Sequence, residues 1–244
     1  MEIRIGIPNR GRISALCCEL FNHNFNTSIS IEERVMVYTI RDKYENEIEI
    51  VLLRSTDIPK MLEEKNIDMG ITGNDYFIES GANIIESNNL FMFNGMLCML
   101  AKRHSGINSI YDFKRKEDII FCSQYPNIGY ELMRQLDSNF VLKKIDGAAE
   151  SYLKLNLCEI VIDVVTSGST FVKNDLKIIS PIFPVSTHIY FSSEYVNAYY
   201  DFCSEIVYQL CGRDPVFFNR EESITYRKYI EFKRNICSKK EGLK

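Results

Sequence analysis

The sequence predicts an α/β fold built on a largely parallel sheet, and three observations carry that expectation. Short apolar runs alternate with amphipathic stretches of helical period, the pattern of repeated strand–helix units. The 244 residues are 45% hydrophobic, enough to bury the core of one large or two small domains. An apolar run over 159–165 delivers Asp163 to a turn of small hydroxyl residues around Gly168. Ligands of such sheets gather beyond the carboxyl ends of strands, which is where this turn falls.

In chain order, residues 2–7 are expected to form a strand and 13–21 a helix entered through a glycine-containing turn. Residues 34–40 and 47–53 predict a hairpin across the polar stretch 41–46. A helix is expected to start at Ser55 or Thr56, with Pro59 in its first turn and Met61 and Leu62 turned inward. Residues 69–72 make a brief strand ending at Gly73, and Asn74 is placed to cap the next helix. Separate strands are expected over 83–86 and 90–101. The rhythm then repeats, with strands over 118–123, 140–145 and 159–165 and helices over 126–136 and 148–157. A short helix opens over 169–172, followed by strands at 176–179 and 187–191. From 194 the tail is mainly helical, with Tyr195, Tyr199, Phe202, Ile206 and Leu210 near helical spacing until Gly212 and Pro215 break it.

A net charge of -4 shows no nucleic-acid footprint. The opening MEIRIGIPNRG has no long apolar segment, and no run approaches 18 apolar residues, so a soluble cytoplasmic chain is expected. Eight cysteines, at 17, 18, 98, 122, 158, 203, 211 and 237, form no C-x-x-C pair and lie mostly in apolar segments. Buried reduced thiols account for them better than a disulfide framework or a thiol nucleophile. The three histidines, His23, His104 and His188, are too scattered for a zinc site, and no protein-held metal is expected.

Residues 163–170 read DVVTSGST. Such a turn offers backbone N–H groups and hydroxyls to an anion, and a helix start just beyond adds a favourable dipole. Asp163 stands where it would hold a sugar diol, so acid and turn together suggest a phosphoribosyl site; ordinary loop chemistry is the plainer account of the same residues.

With these segments placed, the chain resembles the short form of ATP phosphoribosyltransferase, the HisG family. The resemblance rests on IGIPNRGRI at 5–13, LLRSTDIPKMLEEKNIDMGITGND at 52–75, YPN at 125–127, DGAAE at 146–150 and DVVTSGST, in that order. It implies a two-lobed α/β fold similar to type II periplasmic binding proteins (a type IV phosphoribosyltransferase) without a C-terminal regulatory domain. The first lobe would span 1–100, completed by 182–244, and the second 101–181. The implied reaction is attack of ATP N1 on C1 of phosphoribosyl pyrophosphate, the first step of histidine biosynthesis, with Mg²⁺ accompanying the diphosphate. The implied partners are a second copy in a homodimer and a histidyl-tRNA-synthetase-like regulatory subunit in a hetero-octamer.

The resemblance also assigns roles. Val164, Thr166, Ser167, Gly168, Ser169 and Thr170 would cradle the 5′-phosphate, Asp163 would hold the ribose hydroxyls and Glu150 would orient the same sugar. Arg10 and Arg12 would pair with phosphate oxygens, and Arg34 and Arg54 would complete a cationic wall, one of them reaching across a dimer interface. Gly73 would let the nucleotide approach the backbone and Tyr125 would line the adenine pocket. Taken as residues alone, Arg34 and Arg54 also fit solvated strand ends, Gly73 a sharp turn, Tyr125 a core aromatic and Glu150 an exposed helix position. The chain departs from the family at Leu97, Gln124 and His188, where cations are usual, which keeps a different acceptor open, or a two-lobed binding protein without catalysis. The stretch 215–237 exceeds the usual short-form ending, as an interface helix anchored by Phe217, Phe218, Tyr226 and Tyr229 or as an extra core helix.

Overall fold

In the computed structural model, residues 2–32, 35–115, 119–136, 139–147, 149–166 and 174–241 are described. The chain divides into two compact units, one of Met1–Phe93 with Ser186–Ser223 and one of Asn94–Val185 with Ile224–Lys244.

The first unit is organised on β1 (Glu2–Pro8), whose isoleucines at 3, 5 and 7 are fully buried. Successive side chains of a strand point to opposite faces, so this spacing of two commits one face to a core. β1 pairs in parallel with β3 (Glu47–Leu53), from Glu2 opposite Glu47 to Pro8 opposite Leu53, which aligns Ile48, Ile50 and Leu52 on the same face. β2 (Val37–Arg41) covers the outer edge of β3 in the antiparallel hairpin that the sequence predicts. On the other side, β4 (Met69–Gly73) runs parallel to β1, and all five of its residues are buried. Helix α1 (Arg12–Phe25) places Cys17, Cys18 and Phe21 on this core and ends at Asn26 in the left-handed conformation.

Helix α2 (Ile58–Glu63) starts at Ile58 rather than at Ser55 or Thr56, because the preceding residues close a turn in which Asp57 N–H donates to Arg54 C=O at 2.9 Å. Pro59 does lie in its first turn and Leu62 is fully buried, whereas Met61 is half-buried. Helix α2 packs so close to β4 that a Cβ added at Gly70 would lie 2.5 Å from Ile58 Cγ2. The following helix, α3 (Asn74–Ser80), is not capped by Asn74, which is its first helical residue; the Asn74 side-chain oxygen accepts from Ser186 N–H at 3.0 Å instead.

Two pairs of expected strands are each one strand. β5 (Ile85–Lys102) replaces the strands expected at 83–86 and 90–101, with Phe91 at φ 55° inside it. The polar run Ser87–Asn88–Asn89 looks like a turn, yet Ser87 and Asn88 are buried, and the tail docks on Asn88. Asn88 donates to Asp214 C=O at 3.0 Å and accepts from Val216 N–H at 2.9 Å. β9 (Leu176–Phe191) likewise runs through Pro181 and Pro184. The fixed proline φ suits extended backbone wherever the ladder needs no N–H. β9 meets β4 in antiparallel register, from Met69 opposite Phe191 to Gly73 opposite Thr187.

In the second unit β8 (Ile160–Val165) lies between the antiparallel β5 and the parallel β6 (Ile119–Ser123), and β7 (Phe140–Lys144) pairs in parallel with β6. Helix α4 (Pro126–Leu136) lies close to this sheet, since a Cβ at Gly129 would stand 3.1 Å from Leu142 and 3.5 Å from Ile162. Helix α5 (Ala149–Lys154) is shorter than expected and gives way to Asn156 in the left-handed conformation. Cys98, Leu100, Cys122, Leu153 and Val161 share the core beneath it. The helix expected at 169–172 lies outside the described residues.

After β9 come α6 (Ser193–Ala198), capped by the Ser192 hydroxyl accepting from Tyr195 N–H, and α7 (Tyr200–Cys211), closed by Gly212 at φ 63°. The tail helix α8 (Ile224–Glu241) groups with the second unit, whereas the sequence reading places all of 182–244 with the first. The reason is an apolar and ionic seam: the Tyr229 ring packs on Phe183, its hydroxyl donates to Glu131 of α4 at 2.7 Å, and Lys233 reaches the same carboxylate. The extra-core-helix account of the tail therefore fits Tyr229, which is 3% exposed. Phe217 stays in the first unit, packed edge-on against Phe191 and tilted against Tyr200.

Candidate functional site

In the second unit, β8 carries three fully buried residues, Ile160 to Ile162, before half-buried Asp163 emerges at its carboxyl end. Asp163 is opposite Cys98 in β5, and its Oδ1 accepts from Val164 N–H at 2.7 Å, which fixes the rotamer of the carboxylate. That bond commits the Val164 N–H to the acid rather than to a phosphate. Ser123 ties the neighbouring turn in place, donating to Ile162 C=O at 3.1 Å and accepting from Tyr125 N–H at 2.8 Å. Tyr125 is 3% exposed. Glu150 is half-buried in the first turn of α5, and Thr166 is exposed just after β8. Ser167, Gly168, Ser169 and Thr170 lie outside the described residues.

In the first unit the parallel strands β1, β3 and β4 end at Pro8, Leu53 and Gly73. Asn9, Arg10, Arg54 and Asn74 therefore follow one carboxyl edge, the edge on which open parallel sheets bind ligands. Arg10 and Arg54 are exposed there. Arg34 and the side chain of Arg12 lie outside the described residues. Gly73 has an ordinary extended φ of -72°, so no left-handed turn requires glycine. Its small size is needed because Asp75 folds back over it: a Cβ would meet Asp75 Oδ1 at 2.0 Å.

The sequence reading missed a buried polar cluster behind that edge. Asn74, Asp75, Glu86 and Ser87 are each at most 4% exposed, and His188 and Tyr190 join them from β9. His188 Nδ1 lies 3.2 Å from Glu86 Oε1 and 3.5 Å from Ser87 C=O, while its Nε2 lies 2.9 Å from the Ser186 hydroxyl. The Tyr190 hydroxyl donates to the same Glu86 oxygen at 3.4 Å. The available signal was an ionisable residue inside each of two apolar strand runs, which needs partners once buried. Leu97, one of the three departures from the family pattern, is fully buried opposite Val164, where a cation would need a partner of its own.

Burial pulls the His188 pKa down to about 4, opposed by the Ser87 carbonyl. The unfolded chain then binds an extra proton between about pH 6.5 and 4, so stability falls as pH drops through that window. The expected loss is on the order of 3 kcal/mol. Urea unfolding at pH 7 and pH 4.5 should show it, and His188→Gln should flatten the difference; an unchanged slope in that variant would show that His188 is not the source. Burial also pushes the Cys98 thiol up to about 11 and Cys203 up to about 12, leaving both unreactive at neutral pH.

Among the described residues no cluster of three or more His, Cys, Asp or Glu side chains is arranged to hold a metal, and no helix is long and apolar enough to cross a membrane.

Residues 54–212 match the family described as HisG, ATP phosphoribosyltransferase. The ATP phosphoribosyltransferase of Saccharolobus solfataricus is 30% identical over 181 residues, covering 74% of this chain and 61% of that protein. That of Pyrobaculum islandicum is 26% identical over 221 residues, covering 88% and 76%. In structure, the chain is similar to an ATP phosphoribosyl transferase (HisG:HisZ) complex from Thermotoga maritima, with a TM-score of 0.72 at 17% identity over 85% of this chain and 96% of that one. It is also similar to the periplasmic aliphatic sulphonate binding protein SsuA of Escherichia coli, with a TM-score of 0.55 at 14% identity over 99% and 74%. The expected type II periplasmic-binding-protein-like fold is thus the observed one.

Proposed function

The chain belongs to the ATP phosphoribosyltransferase family, and from that premise we propose that it transfers phosphoribosyl from phosphoribosyl pyrophosphate to N1 of ATP. The observation that carries the reading is the family match across both units together with Asp163 held in one orientation at the carboxyl end of β8. N1 of ATP forms a bond to ribose C1 as the bond from C1 to the pyrophosphate oxygen breaks, and its electron pair leaves with pyrophosphate. No covalent enzyme intermediate is required, so the chain acts by positioning and electrostatic stabilisation.

In this reading Asp163 accepts hydrogen bonds from the ribose hydroxyls, and Glu150 supports the same sugar. Residues 166–170 receive the 5′-phosphate. Arg10, Arg12 and Arg54 neutralise phosphate oxygens, with Arg34 completing the cationic set. The reacting diphosphate would bring Mg²⁺ with it, and the carboxylates of Asp163 and Glu150 are hard oxygen donors of the kind that ion takes. When bound, Mg²⁺ would neutralise charge growing on the leaving group. A HisZ-like partner, supported by the likeness to the Thermotoga maritima complex, and a cytoplasmic setting belong to the same proposal.

Purified chain, with and without a HisZ-like subunit, is incubated with ATP, phosphoribosyl pyrophosphate and Mg²⁺ while phosphoribosyl-ATP and pyrophosphate are measured. Both products should appear in equal amounts. Pyrophosphate release only with another acceptor would move the chain to a different transferase, and binding without turnover would make it a binding protein.

A further inference from the structure

Ser186, His188 and Glu86 come together from two strands of the first unit. His188 Nδ1 faces two acceptors, the Glu86 carboxylate and the Ser87 carbonyl, so Nδ1 must carry the hydrogen. In the neutral ring Nε2 is then an acceptor, and the Ser186 hydroxyl, 2.9 Å away, must donate to it. A serine hydroxyl has one hydrogen. Once that hydrogen is committed to His188, Ser186 Oγ can only accept. Asn74 Nδ2 approaches one lone pair at 3.4 Å, and the Ser186 backbone N–H is tied to Asn74 Oδ1 at 3.0 Å. Ser186 is half-buried and precedes Thr187, which is opposite Gly73 at the very end of β4. The oriented lone pair therefore stands at the carboxyl edge that also carries Arg10 and Arg54.

We propose that Glu86 and His188 form an orienting relay that presents Ser186 Oγ as a hydrogen-bond acceptor for the exocyclic amino group of the nucleotide base. Ser186 touches the substrate and determines specificity; His188 and Glu86 are positioning residues that act through it. The inference rests on the reading of this chain as acting on a nucleotide. A base bearing a carbonyl in place of the amino group would set lone pair against lone pair and leave the serine unpaired. A serine–histidine–carboxylate line also suits a nucleophile, but a ring held neutral down to about pH 4 is a poor general base at neutral pH.

The test compares ATP with inosine triphosphate, which has a carbonyl at the amino position, by steady-state turnover and by calorimetric binding. Wild-type chain should prefer ATP. Ser186→Ala should lower that preference about tenfold, mainly through KM. His188→Asn, which cannot supply an acceptor at the Nε2 position, should lower it similarly, and His188→Gln, which can, should stay within about threefold of wild type. An unchanged ratio in Ser186→Ala overturns the inference, as does a change confined to the ratio of ATP to 2′-deoxy-ATP, which would place a ribose hydroxyl on the serine. If His188→Asn does not fold, Ser186→Ala decides alone. Wild-type chain that binds ATP over inosine triphosphate, with the preference lost in Ser186→Ala, but forms no product would keep the relay and sink the proposed reaction. A chain that binds neither nucleotide overturns both.

Discussion

Asp163→Asn is expected to lower kcat/KM at least about a hundredfold, with the loss falling mainly on kcat. Asparagine keeps an oxygen where Asp163 Oδ1 accepts from Val164 N–H, so the local backbone and the pairing of this strand with Leu97 and Cys98 should survive. What it removes is negative charge. In the proposed reaction that charge would face a ribose whose C1 develops positive character as pyrophosphate departs, so the deficit would be largest in the transition state. The urea midpoint should move by less than about 1 kcal/mol equivalent, since Asp163 is half-buried and its replacement is isosteric. Full activity in Asp163→Asn would remove the acid from the reaction. Equal losses of stability and activity would make it a structural residue.

Arg220→Ala is expected to destabilise the first unit by about 3 kcal/mol. The guanidinium closes the carboxyl end of α3, donating from Nη1 to Phe77 and Ala82 carbonyls at 3.1 and 3.0 Å and from Nη2 to Ile78 at 3.2 Å. Its charge also lies 4.8 Å from the centre of the Phe77 ring, which packs on Tyr190 at 5.0 Å. A helix of seven residues has few internal bonds to lose, so the orphaned carbonyls weigh heavily. Cations are favoured at this end of a helix dipole. Lysine cannot serve three carbonyls from one planar fork, so Arg220→Lys should recover less than half of the loss. Urea denaturation would show the midpoint falling at constant slope. A midpoint within experimental error of wild type would mean that α3 is held by its apolar face alone. Because α3 begins with Asn74, the same variant should weaken the Asn74–Ser186 bond and raise KM for the nucleotide.

Much of the fold was legible in local pattern. The alternating isoleucines of β1 and β3, the proline opening α4 and the glycine closing α7 each name their element through backbone geometry, which depends on neighbours in the chain. Asp163 was legible for the same reason, as an acid at the end of an apolar run. Tyr125 and Gly73 were less legible, since neither the burial of the ring nor the approach of Asp75 to the glycine shows in a local window. The polar run in β5 and the prolines of β9 misled the reading at strand level. Their backbone stays extended because a distant tail and favourable φ angles support it, which no local window contains.

The sequence alone determined the α/β class, most of the strands and helices in their order, and the acid-and-hydroxyl pattern that suggests a sugar phosphate. Those follow from periodicity and turn chemistry over a few residues. Only the tertiary structure decided that α8 docks on α4, and that Asn74, Glu86, Ser186 and His188 share one hydrogen-bonded cluster. The last depends on hydrogen bonds between residues 101 and 112 positions apart. Folding brings those groups out of water together, and each is tolerated in the core because the others satisfy it.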